Sequence, residues 1–158
     1  MKRIGIFVDV SNIYYCVSKK FGEHAKLDYQ KYLDNIKDLG DIQQAVAYGA
    51  HKDNSASSFI HCLTTAGFKV KYKTPKSYRV GQEVRYKADW DVGITVDVIK
   101  MLPKFDLVIL GSADGDLEPL VQYILDQGGQ VVIYACGISR QLKDTGITVI
   151  EITESLLQ

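Results

Sequence analysis

Leu107-Val-Ile-Leu-Gly-Ser-Ala-Asp-Gly-Asp-Leu117 runs from four apolar residues straight into a turn of small residues that carries two carboxylates. A short, continuous apolar run is the pattern of a strand covered on both faces, as in a parallel sheet. Asp114 and Asp116 then stand at the carboxyl end of that strand, the edge at which open α/β sheets build their sites. Carboxylates this close repel one another unless a cation or a proton separates them, which points to a hard metal such as Mg²⁺. An Asp-Gly turn in which Asp116 begins a helix explains the same residues without a ligand, and the stretch by itself leaves both readings open.

Outward from this stretch the chain alternates strands and helices. Arg3 to Val8 contains a second apolar run, IGIFV, and Ser11 can cap a helix to about Lys20. A helix is expected over Leu27 to Leu39 and a strand over Ile42 to Ala50. Asn54 or Ser55 caps a further helix through Thr65, ended at Ala66-Gly67, before a strand from Phe68 to Lys73. Asp89 to Met101 reads as a helix stopped before Pro103, Asp106 to Leu110 as the fourth body strand, and Leu117 to Gln127 as a helix ended by Gly128-Gly129. Val131 to Ala135, a short helix near Ser139 to Lys143, and a strand near Thr148 to Ile152 follow. Such alternation predicts one α/β domain over residues 1–158, with a mainly parallel sheet between helices on both faces. Thr74 to Lys87 (TPKSYRVGQEVRYK) breaks the pattern and reads as a basic hairpin or flap projecting from the body.

Charge narrows the partners. The 19 basic and 19 acidic side chains cancel, so any affinity for nucleic acid must come from a local patch. Cys16, Cys62 and Cys136 form no CxxC pair, which favours buried thiols in a reducing compartment over zinc or a disulfide. No charged segment followed by an apolar signal opens the chain and no apolar run approaches a membrane span, so a soluble, cytoplasmic protein without a membrane partner is expected.

Further carboxylates are placed to join Asp114 and Asp116. Asp9 ends the first strand, and the first and fourth strands of a doubly wound sheet are commonly neighbours, so the three would converge on one notch. A turn residue or helix cap is the plain alternative for Asp9. Lys87-Ala88-Asp89-Trp90-Asp91 opens the helix that ends near Met101, where acidic side chains also complement the helix dipole. On that helix Asp91, Thr95 and Val98 share a face, whereas Asp97 points about 120° away from Asp91. Asp91 is therefore the better ligand candidate, with Asp97 left to a supporting place or to solvent.

FVDVSN (Phe7 to Asn12), KADWDVGITVD (Lys87 to Asp97) and GSADGDL (Gly111 to Leu117) together resemble the NYN domain, and more narrowly its LabA-like branch within the PIN-like nuclease group. The resemblance spans nearly the whole chain in order and spacing. It implies a three-layer α/β/α fold with parallel strand order 3-2-1-4-5, an acidic pocket for Mg²⁺ or Mn²⁺, and metal-dependent cleavage of RNA. Residue by residue it makes Asp9 the acid of the first motif and Asn12 its asparagine. Asp91 becomes the acid of the middle motif, between Lys87 and Asp97, and Ser112, Asp114 and Asp116 match S-x-D-x-D. Asp89 is an additional carboxylate, which leaves open whether it or Asp91 faces the metal.

On this reading Asp9, Asp91, Asp114 and Asp116 hold one or two divalent ions, with Asn12 among the catalytic residues. Asn12 and Ser112 would orient phosphate or water, and Lys87 would neutralise a phosphate or restrain the carboxylates. His24, His51 and His61 show no metal spacing, and neither GxSxG nor GxxxxGK[ST] occurs. The substrate track would be the basic run that contains Lys73, Lys76, Arg79 and Arg85, with Tyr78 and Tyr86 placed to stack on unpaired bases of single-stranded or structured RNA. Alternating lysines on a sheet edge also protect against edge pairing. Two rivals remain: an RNA-binding regulatory module with little catalysis, and a nucleotide phosphohydrolase. The second is weakened because Asp9 is followed by Val10-Ser11 rather than by a second aspartate two residues on. Many small nuclease domains pair, so a homodimer is left open.

Overall fold

Six stretches pair into one wholly parallel sheet in the computed structural model, which describes residues 1–50, 57–87 and 89–158. The expected cap at Asn54 or Ser55 and the side chains of Tyr86 and Lys87 lie outside the described residues. The strands are β1 (Arg3–Asp9), β2 (Asp41–Ala50), β3 (Lys69–Lys73), β6 (Leu107–Gly111), β7 (Gln130–Ala135) and β8 (Thr148–Glu151). Their order, β3-β2-β1-β6-β7-β8, reproduces the expected 3-2-1-4-5 arrangement and extends it by an edge strand. Helices α1 (Val10–Phe21), α2 (Tyr29–Asp34), α3 (Ser57–Ala66), α4 (Asp91–Met101), α5 (Glu118–Asp126) and α6 (Arg140–Lys143) alternate with these strands. None of the described helices is long and apolar enough to cross a membrane.

The apolar runs form the core. Ile4, Ile6, Val8, Ile109 and Leu110 are fully buried, and β1 pairs directly with β6, from Ile4 opposite Leu107 to Val8 opposite Gly111. The first and fourth body strands are therefore neighbours, and their carboxyl ends open side by side. Gly111 permits a close approach there, since a Cβ would lie 2.7 Å from the Tyr32 hydroxyl and 2.9 Å from a Val8 methyl. Tyr32 in turn stacks on Tyr134 with ring centroids 3.9 Å apart and donates its hydroxyl to the Tyr134 carbonyl, closing the core under the turn.

Thr74 to Lys87 contains the expected hairpin. β4 (Lys76–Val80) and β5 (Glu83–Lys87) pair antiparallel as a separate two-stranded sheet. Several helix boundaries differ from the periodicity. Asp9, not Ser11, caps α1. The expected helix over Leu27 to Leu39 divides into α2, capped by Asp28, and a 3₁₀ turn at Lys37–Leu39. α4 begins at Asp91 rather than Asp89, and a 3₁₀ turn at Gly115–Leu117 precedes α5. Cys62 is exposed, contrary to the expectation that every thiol is buried.

Candidate metal site

Three loops meet where β1 and β6 end. Asp9 accepts from the Asn12 N–H at 3.2 Å through its own Oδ1, the bond that starts α1. Asn12 passes the connection on, its Oδ1 accepting from the Ala113 N–H at 2.8 Å. On the far side of that residue, the Ala113 carbonyl accepts from the Ser139 N–H at 3.3 Å. The turn after β6 is thus tied both to α1 and to the loop before α6. Within it, Ser112 Oγ accepts from the Asp114 N–H at 3.2 Å and Asp114 Oδ1 accepts from the Asp116 N–H at 2.9 Å. Asp114 therefore caps the 3₁₀ turn that Asp116 was expected to begin.

Asp91 arrives from the opposite side, at the first turn of α4. Its place is set by Trp90, whose indole N–H donates to the Gly49 carbonyl at 2.8 Å and whose ring lies against Tyr48, centroids 5.2 Å apart. The indole folds over the start of the helix because residue 93 is glycine; a Cβ there would meet the ring at 2.6 Å. Asp91, Asp114 and Asp116 consequently each present a carboxylate oxygen within 4.8 Å of the others.

The electrostatics of this group are adverse. Burial, and then the charges of Asp114, Asp9, Asp89 and Asp116, push the Asp91 carboxyl up to about 6. Asp9, itself buried, is raised chiefly by burial and then by Asp114, while the Asn12 N–H works in the opposite direction. Asp91 Oδ1 is buried and accepts no hydrogen bond from the described residues. Since a buried acceptor with no donor costs about 1–3 kcal/mol, it marks a position that a cation or a proton would satisfy. An all-oxygen donor set with neighbouring solvent suits Mg²⁺ or Mn²⁺, and the residues fit such an ion.

A family model for the NYN domain matches residues 3–153. The chain belongs to the NYN family. NYN domains form a PIN-like nuclease family, so membership brings a nuclease-type or RNA-related role. Over 150 residues the chain is 23% identical to the Low amplitude and bright protein LabA of Synechococcus elongatus, matching 90% of this chain and 79% of that protein. A crystal structure of a protein of unknown function from Vibrio parahaemolyticus superposes with a TM-score of 0.86 at 33% identity, covering 99% of this chain and 96% of the other. The LabA-like character expected from the motifs and the α/β fold are both borne out.

Within this NYN domain, the expected site residues divide by position. Asp91, Asp114 and Asp116 come together, and Asp9 stands outside their mutual 4.8 Å set as a buried neighbour that caps α1. Asp91 rather than Asp89 is the member from the middle motif. Asn12 Oδ1 and the buried Ser112 Oγ hold the backbone of the turn rather than facing outward to a phosphate. Asp97 is neither beside the cleft nor in free solvent. Its Oδ2 accepts from Tyr48 and from Lys71, both at 2.7 Å, which locks α4 to β2 and β3 and holds its carboxyl below the ordinary range despite partial burial.

The basic run is divided in the same way. Lys71 is spent on Asp97, and Lys73 donates to the Asp89 carbonyl with its ammonium 4.4 Å from the centre of the Trp90 ring. Lys76, Tyr78 and Arg79 are exposed, and Arg85 pairs with Glu83 at 3.2 Å on the surface. Register places Lys76, Tyr78 and Arg85 on one face of the hairpin and Arg79 on the other. Sequence reasoning missed Trp90. Its signal was an aromatic residue directly before Asp91 with a glycine three positions on.

Proposed function

We propose that this NYN domain is a divalent-metal-dependent ribonuclease that hydrolyses RNA phosphodiester bonds at the carboxyl ends of β1 and β6. The observation that carries the proposal is the convergence of Asp91, Asp114 and Asp116, with Asp91 Oδ1 buried and lacking a donor among the described residues. Of the four expected ligands, Asp91, Asp114 and Asp116 would hold the ion directly, and the buried Asp9 carboxylate would add to the negative field beside them. A bound Mg²⁺ or Mn²⁺ supplies positive charge for the phosphoryl oxygens and for activation of the attacking water.

The chain's own residues supply position. Asn12 and Ser112 keep the Asp114 turn in register with α1, and Trp90 keeps Asp91 opposite it. Lys76 and Arg85, with Tyr78 between them on one hairpin face, offer charges for the sugar-phosphate backbone and a ring for an unpaired base. A polymer substrate suits this basic hairpin better than a small phosphoester does.

The test incubates purified protein with mixed RNAs in Mg²⁺, in Mn²⁺, in chelator, and with Asp114→Asn. Cleavage is expected with either metal and should be lost in chelator and in the variant. Cleavage that persists in chelator or in the variant refutes the metal mechanism. Tight metal-independent RNA binding without cleavage would select an RNA-binding regulatory module, and turnover of nucleotides but not polymers a phosphohydrolase. Replacing Lys76, Arg79 and Arg85 with Ala should weaken RNA binding and flatten the slope of log K against log salt by about 1.4, roughly 0.7 for each of the two contacts from Lys76 and Arg85 on a single strand. An unchanged slope would make the hairpin a solvated edge.

A further inference from the structure

Behind the acidic turn, two cysteines 120 residues apart in the chain meet with their sulfurs 2.9 Å from each other. Cys16 lies one helical turn beyond Asn12 on the same face of α1, and Cys136 directly follows the last residue of β7. Cys136 is fully buried and Cys16 nearly so, and the S–H of Cys136 donates to the Cys16 sulfur. A cavity of about 550 Å³ is lined by both cysteine residues, together with Asn12, Ala113, Lys19 and Lys20. The third cysteine, Cys62, is exposed on α3 and is no part of this pair.

From this geometry we infer that Cys16 and Cys136 form a redox-modification site that closes reversibly to a disulfide with a small peroxide. Cys16 retains some solvent exposure whereas Cys136 has none, so a small peroxide reaches Cys16 first: Cys16 is the attacking group and Cys136, whose S–H already points at it, the resolving one. Burial first, and then the S–H bond to Cys16, push the Cys136 thiol up to about 12, so it keeps its proton while Cys16 reacts. The Cys16 sulfur attacks one oxygen of hydrogen peroxide as its S–H proton is lost, the O–O bond breaks, and the departing hydroxide takes up that proton to leave as water. The Cys136 sulfur then attacks the sulfenic sulfur of Cys16, the S–O bond breaks as S–S forms, and the departing hydroxide takes the Cys136 thiol proton to leave as a second water. Two thiols are oxidised by two electrons and one peroxide is reduced to two waters. Bond formation needs the sulfurs to close by less than about 1 Å. The product would staple α1 to the end of β7, one turn from the asparagine that holds Ala113, and so would tie the acidic turn to the redox state of the solution. This inference is independent of the nuclease reading.

The experiment uses the full chain with Cys62→Ser, treated with hydrogen peroxide, denatured, alkylated with iodoacetamide and weighed intact, followed by peptide mapping. The expected result is a mass loss of about 2 Da, no alkylation, one peptide pair joining Cys16 to Cys136, and full recovery of both thiols in dithiothreitol. Two alkylated cysteines after treatment, or oxygen adducts without a bridge, would overturn the inference. So would a bridge found only between two chains. In a second chain, also with Cys136→Ala, Cys16 should gain oxygen instead, about 32 Da as the sulfinic acid. A Cys16 that stays unmodified there removes its assignment as the attacking thiol.

Discussion

Replacing Asp91 with Asn should make the metal-free protein more stable and, at the same time, insensitive to metal. With its carboxyl held at about 6 instead of the ordinary 3.8, Asp91 is ionised at pH 7.5 in a place that resists ionisation. The difference corresponds to roughly 3 kcal/mol against the folded state. Asp91 is only half-buried, and solvent screening cuts this to about 1.5 kcal/mol. Removing the charge also forfeits its favourable interaction with the amino end of α4, about 0.5 kcal/mol. The net gain is about 1 kcal/mol, or roughly 3 °C in Tm for a chain of this size. Thermal unfolding followed by circular dichroism at pH 7.5 in chelator measures it. The same melts with Mn²⁺ should raise the Tm of the wild-type chain and leave that of Asp91→Asn nearly unchanged. An Asn variant that melts at or below the wild-type temperature in chelator, or that gains as much from Mn²⁺, would refute the account of Asp91 as a charge disfavoured by partial burial and by its acidic neighbours.

The pH dependence of that gain has a definite sign. A carboxyl with a raised folded-state pKa stabilises fully below its unfolded value and loses that contribution as pH climbs, so the Tm advantage of Asp91→Asn should vanish near pH 4 and be complete above about pH 6. A pH-independent difference between the two melting curves would contradict it. Asn12→Ala strips the acceptor from the buried Ala113 N–H and should cost about 1–3 kcal/mol in urea unfolding while shrinking the Mn²⁺-induced rise in Tm; no loss of stability would mean that water replaces the carboxamide. Asp97→Asn breaks the ion pair with Lys71 and should cost about 1 kcal/mol, yet keep the full Mn²⁺-induced rise. A diminished rise would return Asp97 to the site.

What the sequence disclosed, it disclosed through patterns that burial writes locally. IGIFV and LVIL are buried because both faces of β1 and β6 are covered, and the same apolar continuity made them readable as central strands. The helix expected over Leu27 to Leu39 does contain the buried Tyr32, Leu33 and Ile36, but periodicity cannot report that the backbone leaves the α-helix between Leu33 and Ile36. Asp9 and Ser11 are both good caps, and choosing between them needs the direction in which the chain leaves β1. The position of Trp90 depends on a backbone carbonyl at Gly49, a partner that no residue type advertises. The Asp97 to Lys71 lock and the meeting of Cys16 with Cys136 join distant segments, which only the packed sheet brings together. For the acidic group, motif order indicated which carboxylates to gather, and the structure separated the three that converge from the one that stands behind them.

The chain of bonds from Asp9 through Asn12 to Ala113, and from Ala113 to Ser139, means that the acidic turn is preorganised by main-chain anchors rather than by an ion. Its ordering entropy is therefore spent during folding, not at the moment of capture. On the proposed function, an ion arriving there would find its ligands already assembled under mutual repulsion, and much of its affinity would come from relieving that repulsion. On that reading, loading and unloading would proceed with little rearrangement of the backbone, and chelator should leave the shape of the domain nearly unchanged.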